Sequence, residues 1–132
     1  MDRPFIFYIR TKKQKVDKRI IGNDPVGVLA VVREDGKYRV TGAICADGDS
    51  FVKEKAQIKI LGRLKGNPRN YRNHCLVISM LIPDLERVLK TINLYPNRDR
   101  VRKAIRESQE RWMRLCEWIK RPKPQPAYES GL

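Results

Sequence analysis

Acidic side chains are scarce in this sequence: 15 Asp and Glu stand against 29 Lys and Arg, a formal net charge of +14. An excess of that size steers a protein toward polyanions. Histidine occurs once, at His74, which leaves little room for imidazole-based acid–base or metal chemistry. The three cysteines, Cys45, Cys75 and Cys116, are widely spaced and form no C-x-x-C pair. Structural zinc wants four close ligands, so neither a zinc site nor a disulfide framework is expected, and the thiols read as reduced and mostly buried. No apolar run approaches the ~20 residues that a membrane-spanning helix needs. The opening MDRPFIFYIRTKKQ lacks the apolar core and small-residue cleavage site of a secretory signal, so a soluble, cytoplasmic protein is expected. Neither G-x-x-x-x-G-K-[ST] nor G-x-G-x-x-G occurs, which argues against nucleotide hydrolysis by a P-loop, and no cofactor is expected.

What is present is enough for one folded unit. At 132 residues and 41% hydrophobic, the chain can build a core, and residues 1–120 are read as a single domain. Phe5 to Ile9 is aromatic and β-branched, hence a strand. The run 10–19 holds six basic residues and one acid, shows no clean apolar face, and reads as a loop or mobile arm. Val26–Val32 and Tyr38–Cys45 flank Asp35-Gly36, a dipeptide suited to the two positive-φ positions of a type I′ hairpin turn. In that register Leu29, Val31, Tyr38, Val40 and Ile44 share a core face.

Ala46-Asp47-Gly48 turns the chain, and Asp49 or Ser50 can cap a helix from about Phe51 to Lys65. That helix has Val52, Ala56, Ile60 and Leu64 on one side and Phe51, Ile58 and Leu61 on the other, so contact from two directions is expected. Cys75–Ile82 is the most apolar stretch and reads as a buried central strand. Pro83-Asp84 opens a short helix carrying Leu85, Val88, Leu89 and Ile92, which Tyr95-Pro96-Asn97 ends. A last helix over Arg98–Lys120 carries its apolar stripe through Val101, Ile105, Ser108, Trp112, Leu115, Cys116 and Ile119, with Met113 and Trp118 off it. The proline-rich residues 121–132 read as a disordered tail. The order βββαβαα means α+β, a small antiparallel sheet of about four strands packed against helices.

Residues 45–64 read CADGDSFVKEKAQIKILGRL. The spacing Asp49-x-Phe51-x-Lys53, followed by Ala56, Ile60 and Gly62-Arg63-Leu64, resembles small phage-encoded accessory proteins. In those, a helix of pattern D-x-F-x-K-x-x-G-x-x-x-A-x-G-R-L follows a β-hairpin. The chain departs from the pattern at Ala56 and Ile60, where that family tends to carry smaller residues. The resemblance implies a phage or prophage origin and an intracellular setting, with no assigned reaction.

Catalytic constellations are hard to assemble. Asp24 with Asp35-Gly36-Lys37 fits the letters of a metal nuclease, but Asp-Gly is the turn dipeptide itself. Asp47 and Asp49 could hold a metal ion, yet turn and helix-cap roles account for both. His74 precedes a strand without a patterned nucleophile. No catalytic and no metal-binding residues are therefore assigned.

Charge is where the sequence speaks. One cluster is the arm with Arg10, Lys12, Lys13, Lys15, Lys18 and Arg19. A second includes Lys59, Arg63, Lys65, Arg69, Tyr71 and Arg72, in which arginine forks suit phosphate oxygens and the tyrosine suits an unpaired base. The outer face of the last helix mixes Arg100, Arg102, Lys103, Arg106, Arg111 and Arg114 with glutamates and reads as a solvated surface. The function expected is a basic accessory protein contacting DNA or RNA through the arm and the loop. The alternative is an inhibitor or adaptor that docks its basic surface on a host protein or protein–nucleic acid complex. A membrane partner is not expected, because the last helix needs its apolar stripe for the core.

Overall fold

A computed structural model describes residues 3–45, 50–65, 74–79, 81–94 and 98–120. The strands are β1 (Phe5–Arg10), β2 (Gln14–Val16), β3 (Arg19–Ile21), β4 (Pro25–Glu34), β5 (Lys37–Ile44) and β6 (Cys75–Ile78). The helices are α1 (Lys53–Lys65), α2 (Leu85–Thr91), α3 (Asp99–Glu107) and α4 (Gln109–Lys120). Four strands form an antiparallel sheet in the order β1-β4-β5-β6, and β2 and β3 pair separately. This is the α+β class.

Strand alternation divides the sheet into two buried faces. Phe7, Ile9, Leu29, Val31 and Val40 meet α2, α3 and α4 on one of them, with Tyr38 and Ile44 packed alongside. Val28, Ala30, Val32 and Ala43 meet Ile60 and Leu64 of α1 on the other. Strand β4 is thus covered on both sides, which is why Val26–Val32 is an unbroken apolar run and not an alternating one. Asp35 and Gly36 take φ of 51° and 76° at the turn to β5, where Glu34 pairs with Lys37. The turn dipeptide and its register follow the sequence reading.

The helices form where the apolar spacing demands. Asp84 caps α2 by accepting the Arg87 N–H at 3.2 Å, and Leu85, Val88, Leu89 and Ile92 are buried. On α3 and α4, Val101, Ala104, Ile105, Ser108, Trp112, Leu115 and Cys116 face the core. Trp112 is fully buried, its indole N–H donates to the Ile82 carbonyl at 2.9 Å, and its ring meets Phe7 edge-on. Among the described residues no helix is long and apolar enough to cross a membrane.

Four expectations are corrected. The stretch beginning at Cys75 is an edge strand ending at Ile78, with Val77 exposed, because β4 and β5 already fill the sheet centre. Helix α1 begins at Lys53 and, among the described residues, packs through its sheet side: Ile58 is 72% exposed and Leu61 38%. The last helix is two helices divided at Ser108, whose backbone N–H is shared between the Ala104 and Ile105 carbonyls. The arm at 10–19 is ordered, as described below. The expected turn at Ala46-Asp47-Gly48, the Asp49 cap, the break at Tyr95-Pro96-Asn97 and the tail 121–132 lie outside the described residues.

Candidate nucleic-acid interface

The basic arm is a β-hairpin. Gln14 pairs with Ile21, Lys15 with Ile20 and Val16 with Arg19. Asp17 and Lys18 turn with φ of 48° and 65°, the two positive values of a type I′ turn. Asp-Lys is a weak signal for that turn beside Asn-Gly, and the lysines leave the few apolar residues, Val16, Ile20 and Ile21, without a readable period. Gly22 closes the hairpin at φ 85°, where a Cβ would collide with the Lys12 carbonyl oxygen, so only glycine fits. Lys12, Lys13, Lys15, Lys18 and Arg19 are all exposed on this ribbon.

The ribbon is rooted on the third helix. The Lys12 N–H donates to Glu107 Oε2 at 2.5 Å, and Thr11 and Asp24 exchange bonds at 2.9–3.0 Å across the hairpin base. A groove of about 310 Å³ lies between hairpin and α3, lined by Lys12, Ile21, Arg100, Lys103 and Glu107 among others. Helix-face cations that the sequence reading left to solvent therefore stand beside the arm. Spacing explains the gathering: positions 100, 103, 107, 111 and 114 recur at three and four residues and fall on one flank of the α3–α4 pair.

That flank runs on along the open edge of β1. Ser108, fully buried, accepts the Arg10 backbone N–H at 3.2 Å and donates its hydroxyl to the Arg10 carbonyl at 3.4 Å. The strand register shifts between Ile9 and Arg10, and the buried hydroxyl serves the backbone groups there. The Arg10 guanidinium donates to the Asn23 carbonyl at 2.8 Å, and Arg111 donates to Asn23 Oδ1 at 3.2 Å. One asparagine, itself at φ 61°, thus holds two guanidiniums at the same corner. Arg114 pairs with Glu110 at 2.6 Å, both side chains more than 70% exposed, which gives a weak and exchangeable ion pair. Beyond it, Phe5 and Trp118 pack with ring centroids 5.6 Å apart. A cleft of about 600 Å³ links these residues. Together the two clefts are lined by six cationic side chains, Arg10, Lys12, Arg100, Lys103, Arg111 and Arg114, against the carboxylates of Glu107 and Glu117.

The second basic cluster sits on the opposite face of the sheet, on α1. Lys53, Lys55, Lys59 and Lys65 are exposed there. Lys53 and Arg10 both lie over the Tyr8 ring, at 5.1 and 5.4 Å from its centroid. Arg63 is half-buried and donates to the Gly42 carbonyl, while Arg39 donates to the Leu64 carbonyl at 3.0 Å and closes the helix C-terminus. Arg63 is therefore a fold contact before it is a phosphate contact. Arg69, Tyr71 and Arg72 lie outside the described residues.

No family model, curated protein or solved structure matches this chain.

The site must accordingly be read from its own chemistry. Among the described residues no group of three or more His, Cys, Asp and Glu side chains could hold a metal ion. Asp35 is at the hairpin tip and has a turn's backbone, as its sequence context predicts. His74 stands beside α1 with Nδ1 buried and, among the described residues, without a hydrogen-bond partner. Burial, then the charges of Arg63 and Lys59, hold its pKa below the ordinary value. Burial pushes the Cys116 thiol up, away from nucleophilic reactivity.

Proposed function

We propose that this chain is a small basic nucleic-acid-binding protein that grips phosphates along the open edge of β1, from the hairpin to the flank of α3 and α4. The observation that carries the reading is the convergence of Arg10 and Arg111 on Asn23, at the junction of two basic elements far apart in sequence. Holding two guanidiniums together costs electrostatic energy that a bound polyanion returns. The flanking cations and few carboxylates give the field that draws such a ligand in. The cluster on α1 offers a further, separately tested surface. The resemblance of residues 45–64 to phage accessory proteins adds a phage setting to this proposal and rests on those residues alone.

The test is fluorescence anisotropy of labelled single- and double-stranded DNA and RNA over a salt series. Engagement of ~6 phosphates predicts a log–log salt slope near −5 for duplex and near −4 for single strands. The double variant Arg10→Gln/Arg111→Gln should weaken binding and make the slope shallower by about two. Lys55→Gln/Lys59→Gln reads the α1 face in the same assay. Absence of salt-sensitive binding at ~50 mM salt refutes the reading and favours a protein partner. Equal, weak binding to all four ligands that vanishes by ~150 mM reduces it to polycation behaviour.

A further inference from the structure

The chain holds two tryptophans in opposite circumstances. Trp112 is fully buried and hydrogen-bonded, and it fills the core between α4 and the sheet. Trp118, six residues later on the same helix, is 58% exposed and packs on Phe5, itself 41% exposed. The core of α4 is completed by Leu115 and Cys116 without either of them. An exposed Phe–Trp pair is costly to leave in water, so what stands around it matters.

Cations stand around it. Arg111, Arg114 and Trp118 are spaced by three and four residues, which sets them in a row on one flank of α4. At 1.5 Å per residue the row is ~10 Å long, enough to face more than one phosphate of a strand. Arg10 closes the row beside Arg111, and these four side chains border the ~600 Å³ cleft together with Phe5. An apolar floor of two rings, tilted 33° to one another, with a cationic wall fits a ligand that is aromatic and anionic in alternation. Other occupants fit less well. A peptide strand added to the edge of β1 meets Ser108 at Arg10, whose backbone N–H and carbonyl are already taken. A membrane surface wants a broader apolar face than two rings flanked by Glu110 and Glu117.

Building on the nucleic-acid reading above, we propose that the Phe5–Trp118 pair is a stacking platform for an unpaired base, with Arg10, Arg111 and Arg114 on the adjoining phosphates, so that the ligand is single-stranded. A duplex keeps its base faces stacked on one another and can offer this surface only its phosphates. The platform is thus what discriminates single strand from duplex.

The test titrates the full-length chain with a ~20-nucleotide oligothymidylate and with a duplex of equal length, following intrinsic tryptophan fluorescence and anisotropy of the labelled strand. Stacking should quench the exposed Trp118 and leave the buried Trp112 signal unchanged. Trp118→Ala should weaken single-strand binding about 5- to 150-fold and duplex binding far less, while Trp118→Phe retains most of it. A circular dichroism melt of each variant shows that the fold is intact, as expected for a side chain outside the core. Wild-type affinity in Trp118→Ala, or equal affinity for the two ligands, overturns the platform and leaves phosphate binding standing. Failure of the wild type to bind either ligand overturns both.

Discussion

Replacing Ser108 by alanine should destabilise the protein although alanine is the better helix former. The serine is fully buried at the division between α3 and α4, and its hydroxyl both accepts from and donates to the Arg10 backbone. Each such bond contributes a net ~1 kcal/mol, and each polar group left dry costs ~1–3 kcal/mol. Alanine returns ~0.5 kcal/mol of helix propensity. The two bonds less that propensity give a loss of ~1.5 kcal/mol, rising to ~3 kcal/mol if the two Arg10 groups stay dry at ~1.75 kcal/mol each. For a chain of this length that is a fall of roughly 5–15 °C in Tm, or about 1 M in the urea midpoint for a slope near ~2 kcal/mol/M. Urea unfolding followed by far-ultraviolet circular dichroism measures it, with an unchanged slope required for a stability interpretation. Hydrogen exchange supplies a local readout, because the Arg10 amide should lose protection before its neighbours in β1. A variant as stable as the wild type, or more so, would refute the claim that this hydroxyl fastens the edge strand to the helices. It would also remove the reason Arg10 stands beside Arg111.

Three other substitutions separate packing from propensity and charge from burial. Gly62→Ala falls on an exposed turn of α1 where a Cβ meets nothing within 4 Å, so thermal melts should show a gain of ~0.5–1 kcal/mol. Gly42→Ala should instead cost ~1–3 kcal/mol, since its Cβ would come within 3.0 Å of the Leu94 Cδ1 and the Val28 carbonyl oxygen. Equal melting shifts of one sign would contradict the packing described for the two sites. His74 titrates below its ordinary value in the fold, so below a pH of ~6.5 the unfolded chain binds more protons than the folded one. Its contribution to stability is therefore lost as pH falls through ~6.5 and levels off beneath the folded pKa. Wild type minus His74→Asn, followed by urea unfolding across that window, should decline on acidification; a flat difference would mean His74 is not shielded.

Much of the fold was legible because local chemistry and tertiary need agree. Asp35-Gly36 can hardly avoid its turn, and the register it imposes set Leu29, Val31, Val40, Tyr38 and Ile44 on one face. The stripe from Val101 to Cys116 was readable for the same reason: only one side of a helix can be buried at that spacing. Ser108 marks the limit of that legibility. It sits on the stripe, yet nothing local says that its hydroxyl must serve a strand 98 residues away and divide the helix there. The hairpin at Gln14–Ile21 was missed because lysine-rich alternation over three-residue strands is indistinguishable from a charged loop until Glu107 and Gly22 fix its base.

The sequence by itself determined that the chain is basic, that it can fold as α+β around one central hairpin, and that neither the P-loop nor the G-x-G-x-x-G string occurs in it. Those properties depend on composition and on neighbours within a few positions. Tertiary structure alone decided which cations stand together. The arm leans on α3, α1 covers the other face of the sheet, and Arg10 and Lys53 meet over the Tyr8 ring. Arg111, discounted on a mixed-charge helix, shares Asn23 with Arg10. Like charges give no signal of pairing along a chain, because repulsion does not bring them together. It takes a folded scaffold, here an edge strand clasped by a helix junction, to hold them side by side.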